Sequence, residues 1–274
     1  MNCPEVNMGN KINGTFSVIT YNILANAYLR PELYARVPAE VLEPVSRRQA
    51  LLKKVSGANA DIICLQEVEP AVFDHLDVSL NAQGYTGHFT PKGQNRPDGC
   101  AMFIRTPRFT VQTFEELYYA DGAKKGKNSG HAAQVACLEY ELGTVGIINT
   151  HLRWDPPEEA EENRWGIAQI MEVLEHVGRM NSGEQIICGD FNVTPKNSLI
   201  ALLRDKGFQD AFSGSPTPTC YANGQTEKLD YLVHSAGLSS EAMEVADIRN
   251  VEYLPSFEHP SDHIILGAYF LSRR

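Results

Sequence analysis

The sequence of 274 residues has no apolar run near the ~20 residues that a membrane-spanning helix needs. Its six cysteines include no C-x-x-C pair, and its first residues have no apolar stretch of the kind found in secretory leaders. Four of the cysteines lie inside apolar runs, which is typical of reduced thiols in a core. We therefore expect a cytoplasmic protein that does not engage a membrane.

Positive charge is also scarce, because 24 Lys and Arg stand against 34 Asp and Glu and leave a net charge of -10. An acidic chain does not hold nucleic acid through bulk charge, so a phosphate-bearing ligand would need a metal ion or a local basic cluster. No internal repeat, low-complexity stretch or Pro/Gly-rich linker divides the chain. We expect one domain over residues 1–274, with residues 1–14 as a loose N-terminal extension.

Short apolar runs rich in β-branched and aromatic residues are spread evenly along the chain and predict strands. They lie at 16–22, 61–67, 99–104, 134–140, 144–150, 185–189, 229–233 and 264–270. Gly143 between two of these runs predicts a hairpin.

Fewer segments have helical spacing of apolar residues. They predict helices over 45–57 and 158–177, the second beginning in its acidic stretch, and a third that Thr194 caps and Gly207 closes. Helices this few can cover only outer faces. The fold class is therefore α/β, with two packed mixed β-sheets flanked by helices in a four-layer sandwich.

Polar side chains follow most of the predicted strands. They are Asn22, Glu67, Asn149, His151, Asp190, Asn192, Asp230, Asp262 and His263. Each alone could be a turn former, a cap or a buried core residue, but ligand sites gather where strands end, so together they predict one site. Because side chains at i and i+2 share a face of a strand, we expect Asn149 and Arg153 to lie on the face of His151.

The carboxylates of Glu67 and Asp190, together with carboxamide oxygens, would make an oxygen-rich donor set. Such donors suit Mg²⁺ or Mn²⁺, and the absence of clustered thiols argues against zinc. We expect one or two of these ions, which would supply the positive charge that an acidic protein needs to accept a phosphate ester.

The motifs TYN, QE, NTH, GDFN, DY and SDH, in this order, resemble the endonuclease/exonuclease/phosphatase superfamily, which has the deoxyribonuclease I fold. The resemblance covers about residues 16–270. The stretches TYNILANAY, ADIICLQEVE, DGCAMFIR, NTHLRWDP, GDFNVTP and SDHIIL are similar to the branch that contains the carbon-catabolite-repression type of deadenylase, nocturnin, angel and the 2′-phosphodiesterase.

This resemblance implies magnesium-dependent cleavage of a phosphodiester. The implied metal ligands are Asn22, Glu67, Asp190, Asn192 and His263. The implied catalytic residues are His151, Asp190, Asn192, Asp230, Asp262 and His263. In this scheme Asp190 holds or deprotonates the attacking water, the two histidines stabilise charge on the phosphoryl oxygens, and Asp262 orients His263.

The substrate is less well defined by the sequence. Candidate substrate-binding residues are Asp98, Asn149, Arg153, Trp154, Pro156, Tyr221 and Lys228. Trp154 and Pro156 would stack on a base, with Tyr221 as the other wall, although Trp154 could equally be a packing residue. The lysines at 124, 125 and 127 predict a solvated surface loop.

Three functions remain open from the sequence. The leading one is a 3′-end exoribonuclease, deadenylase-like or 2′,5′-phosphodiesterase-like, on short single-stranded adenine-containing RNA. The second is a metal-dependent phosphatase on a small nucleotide or phosphorylated metabolite, and the third is a non-catalytic binding module. We expect a monomer without an obligate protein partner.

Overall fold

The structure is a computed structural model that describes residues 14–30, 32–121, 128–156, 158–160, 163–180, 182–214, 217–222 and 224–273. The predicted N-terminal extension, apart from Gly14, and the predicted lysine loop lie outside these residues.

Fourteen strands and five helices are described. The strands are Phe16–Asn22 (β1), Ile62–Val68 (β2), Tyr85–Pro91 (β3), Gly99–Arg105 (β4), Thr110–Tyr118 (β5), Ala132–Tyr140 (β6), Gly143–His151 (β7), Glu184–Asp190 (β8), Phe208–Asp210 (β9), Cys220–Ala222 (β10), Gln225–Glu227 (β11), Asp230–Ser235 (β12), Leu238–Ala242 (β13) and Leu266–Ser272 (β14). The helices are Ala39–Leu42 (α1), Pro44–Gly57 (α2), Pro70–Asn81 (α3), Trp165–Val177 (α4) and Ser198–Asp205 (α5). A 3₁₀ turn spans Asn26–Tyr28.

The strands form two six-stranded mixed sheets and one small hairpin, β10–β11. The first sheet has the order β13-β14-β1-β2-β4-β3, and the second has the order β5-β6-β7-β8-β12-β9. Each large sheet has a parallel pair at its middle, β1 with β2 and β7 with β8, and antiparallel neighbours around it. The carboxyl ends of each parallel pair lie together at one edge of its sheet.

Three apolar layers hold this arrangement together. One cluster fills the space between the sheets and includes Phe16, Met102 and Leu232. A second joins the first sheet to α2 and α3, and a third joins the second sheet to α4 and α5. The predicted four-layer sandwich of two mixed sheets flanked by helices is confirmed. Four cysteines, Cys64, Cys100, Cys188 and Cys220, are buried free thiols, and Cys137 is also buried.

The eight predicted strands are present within two residues of their predicted bounds, the hairpin at Gly143 joins β6 to β7, and α2 matches its prediction. The predicted starts of two other helices were wrong. Helix α4 begins at Trp165 rather than in the acidic stretch, because the carboxylate of Asp155 accepts from the amides of Trp165 and Gly166 at 3.0 and 2.9 Å and caps it. Pro157 and two glutamates of that stretch lie outside the described residues.

Helix α5 begins at Ser198, four residues after the predicted cap. The side chain of Asn197 accepts from the amide of Leu199 at 2.9 Å, so asparagine takes the capping position predicted for threonine. Helix α5 ends at Asp205, close to the predicted stop at Gly207, which has a φ of +89°.

No helix in the described part of the chain combines the length and the apolar character that crossing a bilayer requires.

Candidate active site

The ends of β1 and β2 bring the first two predicted site residues together with a carboxylate of the other sheet. The side-chain amide of Asn22 donates to Glu67 Oε1 at 3.1 Å and to Asp190 Oδ2 at 3.0 Å. The other oxygen of Glu67 accepts from the backbone amide of Ala25 at 3.0 Å. Glu67 and Asp190, which lie 45 and 168 positions after Asn22 in the sequence, therefore meet at one nitrogen atom of Asn22.

The backbone is unusual at two of the predicted site residues. Glu67 has a φ of +56° and Asn192 a φ of +54°, in the left-handed region that residues with a Cβ seldom adopt. At Glu67 the pairing of β2 with β4 shifts register between Leu65 and Val68, which is a bulge. Strained backbone of this kind is concentrated at functional sites.

The second sheet aligns three polar side chains across neighbouring strands. His151 on β7 pairs with Asp190 on β8, and Asp190 pairs with Asp230 on β12. Gly189, with a φ of +142°, allows the close approach of β7 and β8, since a Cβ there would lie 1.7 Å from the carbonyl oxygen of Thr150.

His263 completes the group from the loop before β14. Its Nδ1 lies 2.8 Å from Asp230 Oδ2, and its Nε2 lies 3.8 Å from Asp190 Oδ2. His151 approaches the same oxygen of Asp190, with its Nε2 at 3.6 Å. Two imidazoles therefore flank the carboxylate of Asp190.

The two imidazoles have opposite electrostatic environments. Burial works against the charge of His263, but Asp230 and Asp190 outweigh it and raise the pKa of His263 well above its ordinary value. Burial and the positive charge of Lys92 hold the pKa of His151 well below its ordinary value. His263 is therefore the charged imidazole and His151 the neutral one near pH 7.

The predicted role of Asp262 was wrong. Asp230, not Asp262, holds His263, while Asp262 Oδ2 accepts from the hydroxyl of Tyr34 at 2.8 Å. His263 pairs with Cys220 in an isolated β-bridge, so the backbone is extended there and successive side chains point to opposite sides. One position of separation therefore turns Asp262 away from His263 and towards Tyr34, where its charge adds to burial in raising the pKa of Glu67.

Asn192 contacts His151 through its side chain and Asp190 through its backbone. Its side-chain nitrogen lies 3.0 Å from His151 Nε2 and donates to the carbonyl of Leu152 at 2.9 Å. Its backbone amide donates to Asp190 Oδ1 at 2.9 Å. Asn192 therefore fixes the relative positions of His151 and Asp190.

Sequence reasoning missed Lys92, which is buried at the centre. Its ammonium lies 2.7 Å from Asp98 Oδ2 and 3.2 Å from His151 Nδ1. Asp98 also accepts from the hydroxyl of Tyr28 at 2.6 Å. Asp98 thus serves to hold Lys92 and is buried, so its predicted substrate contact was wrong. The available signal was the position of Lys92 directly after β3, a strand that was itself not predicted.

His131 was also missed. Its ring lies edge-on to that of His151, with 5.8 Å between the centroids. Burial, together with the positive charges of Lys92, Arg96 and Arg153, lowers the pKa of His131 to about 2. Basic residues therefore gather on this side of the centre despite the acidic balance of the whole chain.

Asn149 does not contact solvent, so its predicted substrate contact was wrong. Its side-chain amide donates to the carbonyls of Leu65 and Ala101 at 3.1 and 3.0 Å, and its oxygen accepts from Gln66 at 2.7 Å. It shares a face with His151 but lies one repeat further from the strand end, where that face is covered by the first sheet. Asn149 therefore cross-links the two sheets beneath the site.

Arg153 lies beyond the end of β7, so strand alternation no longer decides its direction. Its guanidinium stacks over the ring of Trp165 at 4.4 Å, and its backbone amide donates to Gln169 at 2.8 Å. Trp154 is 57% exposed, which excludes a packing role, and with Pro156 and Asn192 it lines a cavity of about 280 Å³.

Lys228 and Tyr221 do not line the cavity of Trp154, so the predicted place of Tyr221 as its other wall was wrong. Lys228 is buried, where its ammonium pairs with Asp210 and lies 4.9 Å from the centroid of the Tyr231 ring. Tyr221 does not close the cavity of Trp154 and lines a different one, because its backbone amide is bound to the carbonyl of Asp262 at 2.8 Å.

The donor set fits a divalent cation. Carboxylate oxygens of Asp190 and Asp230 lie within 4.8 Å of each other, and Asp230 Oδ1 is buried with no hydrogen-bond partner among the described residues. Burial raises the pKa of both Glu67 and Asp190, so their charged forms would gain from a cation. Carboxylate oxygens are the ligands that hard divalent cations prefer.

Asn22 differs from the ligand role that the resemblance implied. Its side-chain oxygen accepts from the amide of Leu24 at 3.0 Å, so its nitrogen, not its oxygen, faces the carboxylates. Asn22 orients the two acidic side chains and donates to both. The ligand roles of Glu67, Asn192 and His263 stay predictions.

Comparison with known proteins identifies sequence relatives. Ccr4 of Candida albicans, named as the 3′-5′-exoribonuclease subunit of the CCR4-Not complex, is 29% identical over 232 residues, which cover 71% of this chain and 30% of that protein. Carbon catabolite repressor protein 4 homolog 1 of Arabidopsis thaliana is also 29% identical, over 69% of this chain and 37% of its own length. The chain therefore spans only about a third of the length of these curated relatives.

Solved structures share the fold. ANGEL2, described as a 2′,3′-cyclic phosphatase, superposes with a TM-score of 0.84 at 20% identity and covers 94% of this chain and 95% of its own. The catalytic domain of human Nocturnin gives a TM-score of 0.69 at 24% identity and 94% coverage of both chains. Both belong to the branch that the sequence motifs resemble.

The sequence profile described as the Endonuclease/Exonuclease/phosphatase family matches residues 19–263, which include every residue of the centre described above. The chain belongs to the endonuclease/exonuclease/phosphatase family.

Proposed function

We propose that the protein is a metal-dependent phosphodiesterase that removes nucleotides from the 3′ end of short, single-stranded, adenine-containing RNA. One observation carries the reaction class: Glu67 and Asp190, from different sheets, share the amide of Asn22, and two imidazoles flank Asp190. Hydrolysis of a phosphate ester uses groups that accept a proton and groups that stabilise negative charge. Two carboxylates, a neutral imidazole and a charged imidazole around one space can supply both.

Asp190 is the general base in this proposal. Its Oδ2 lies between the two imidazoles, and burial raises its pKa, which makes it a better proton acceptor near neutral pH. The base takes the proton of the attacking water at this oxygen. The backbone amide of Asn192 and the side chain of Asn22 keep the carboxylate in place.

His263 and Lys92 stabilise negative charge on the phosphoryl group. His263 is protonated and oriented by Asp230, so its Nε2 can donate to a phosphoryl oxygen. Lys92 brings a second positive charge next to His151. Each of these cations is paired with a carboxylate, Asp98 or Asp230, so a bound divalent cation would supply the further positive charge that a phosphate needs in a protein of net charge -10.

Glu67, Asp190 and Asp230 would hold the cation, which we propose to be Mg²⁺ or Mn²⁺. Such an ion, when bound, polarises the phosphate and stabilises the leaving oxygen. The chain's own contribution is to hold the carboxylates apart from bulk water and in fixed orientation, through Asn22 and the backbone of Ala25.

The substrate class is supported by the exposed ring of Trp154 beside Pro156, since base stacking on an aromatic ring grips any single-stranded nucleic acid. Ccr4 is named as a 3′-5′-exoribonuclease, and its similarity to this chain supports RNA as the substrate and cleavage from the 3′ end. The buried free thiols support a reducing compartment, and the cytoplasm is the proposed location.

The test is product analysis with oligoadenylate and oligouridylate, in 3′,5′- and 2′,5′-linked forms, in Mg²⁺, in Mn²⁺ and in excess chelator. Stepwise shortening from the 3′ end with release of 5′-mononucleotides, lost in chelator, is the expected result. Turnover that chelator leaves unchanged contradicts the proposal.

A phosphatase on a small nucleotide or phosphorylated metabolite is the second candidate, and the net charge of -10 favours it because long nucleic acid is repelled. It predicts free phosphate from mononucleotides while oligomers stay intact. Inactivity on every phosphoester with either metal ion would leave the binding module.

A further inference from the structure

A cavity of about 560 Å³ adjoins the candidate active site at Asp262. The residues that line it include Tyr34, Tyr221, Tyr253 and Leu254. The cavity of Trp154 and Pro156 adjoins the centre at Asn192 instead, and the two cavities share no lining residue. Two separate spaces therefore border the centre, one on the side of His263 and one on the side of His151.

The tyrosine-lined cavity is rigidly connected to the catalytic group. The backbone amide of Tyr221 donates to the carbonyl of Asp262 at 2.8 Å, and Cys220 pairs with His263. The ring of Tyr221 is held at its far end, where its hydroxyl donates to the carbonyl of Glu252 at 2.8 Å. A group bound in this cavity would therefore lie a fixed distance from His263.

The charges that line the cavity decide what it can accept. Glu32, Glu252 and Asp262 face it against a single cation, Arg36. This acidic balance repels a phosphate. Three aromatic rings instead suit a flat neutral group, and a nucleobase is the flat neutral part of the proposed substrate.

Asp262 supplies the hydrogen-bonding preference. A carboxylate accepts hydrogen bonds and donates none, and one of its oxygens already accepts from Tyr34 at 2.8 Å. Adenine and cytosine present an exocyclic amino group, which is a donor, at the position where uracil presents a carbonyl oxygen. The carboxylate would attract the first two bases and repel the third.

We propose that the tyrosine-lined cavity binds one of the two bases that flank the scissile phosphodiester and prefers adenine and cytosine to uracil. This inference rests on the proposed phosphodiesterase function. A phosphodiester has a nucleoside on each side, and the cavity of Trp154 and Pro156 would take the other base.

The experiment measures KM and kcat on the dinucleotides ApA, CpA, UpA, ApC and ApU with Mg²⁺, for the wild type, Asp262→Asn and Tyr34→Phe. The wild type should show a kcat/KM about tenfold or more lower for uracil than for adenine and cytosine at one of the two positions. Asp262→Asn should abolish that preference through KM. Tyr34→Phe should weaken it several-fold, because Asp262 loses the donor that orients it.

Phe257→Ala is the matched control, since Phe257 is an aromatic residue of the same segment, is 68% exposed and does not line the cavity. The control should keep the base preference of the wild type. Equal kcat/KM for all bases in the wild type, or an unchanged preference in Asp262→Asn, overturns the inference.

If no dinucleotide is cleaved, that result counts against the proposed function and not against base binding in the cavity. A direct binding measurement then tests the inference. Adenosine and uridine are titrated by calorimetry into Trp154→Ala, which removes the other stacking surface, and into Trp154→Ala combined with Asp262→Asn. Tighter binding of adenosine in the first protein, lost in the second, supports the inference. Binding of neither nucleoside, or equal binding of both, overturns it.

Discussion

The reaction centre and the tyrosine-lined cavity adjoin at His263 and Asp262, but they are built from different parts of the fold. Most of the centre comes from strand ends held in register by two sheets, as at His151 opposite Asp190. The cavity comes largely from the connections at 32–37 and 252–254. The chemistry is thus fixed by sheet pairing, whereas substrate choice lies in segments that sheet pairing does not constrain.

Replacing Glu67 by Ala should have the largest effect, because it removes a carboxylate from the centre while leaving both sheets intact. We expect metal-dependent hydrolysis to fall on the order of 10³-fold or more. Circular dichroism and thermal melting should match the wild type. Glu175→Ala, a surface change on α4, is the control and should keep full activity. Full turnover by purified Glu67→Ala would show that Glu67 takes no part in the reaction.

Asp230 belongs to the reaction centre and Asp262 lines the cavity, so replacing each of them by asparagine should have different effects. Asp230→Asn removes the charge that orients and protonates His263, so kcat should fall by about 10²-fold. Asp262→Asn should act mainly on KM, because its side chain faces the cavity and not the imidazole. Steady-state kinetics on oligoadenylate measures both, and a larger loss of kcat in Asp262→Asn would reverse the assignment.

Lys92→Met tests whether the centre also contributes to stability. The ion pair of Lys92 with Asp98 is 2% and 0% exposed at its two side chains, so the change leaves a buried carboxylate unpaired. We expect the free energy of unfolding to fall by about 3 kcal/mol, measured by urea denaturation. Adding Asp98→Asn should recover much of this loss but not the activity. A double variant no more stable than the single one would contradict the pairing.

Trp154→Ala should have the smallest effect, because it alters only a cavity wall. Stacking of one base contributes about 1–3 kcal/mol, so KM for oligoadenylate should rise roughly tenfold with kcat nearly unchanged. The control is Tyr118→Ala, an exposed aromatic on the edge strand β5, which should leave both constants unchanged. No change in KM would show that Trp154 does not touch the substrate.

The same division between strands and connections explains what could be predicted from the sequence. Buried strands such as β1 and β2 have continuous apolar runs, so their bounds and the polar residues at their ends were predictable. Strand β5 lies at an edge with six of its nine residues exposed, and β3 contains Gly87 and ends at a proline, so neither has such a run. Missing β3 meant missing Lys92.

Side-chain direction was the other limit. The gathering of polar residues at strand ends correctly predicted that His151 and Asp190 lie near each other. It could not tell which of the adjacent residues Asp262 and His263 faces the imidazole-binding carboxylates, because the choice depends on the bridge with Cys220. Tyr34 could not be predicted at all, since it reaches Asp262 across 228 positions from an irregular segment. Tertiary contacts decide these cases, and they have no local pattern.

Asn149, buried beneath the site, ties the backbone of β2 and β4 to the neighbouring sheet through two carbonyls. Glu67 and Asp190, which both bind the amide of Asn22, belong to different sheets. A sideways shift of one sheet relative to the other would therefore separate them before any strand unfolds. Loss of activity on warming should therefore precede loss of secondary structure, and the rate of hydrolysis would report the alignment of the two sheets.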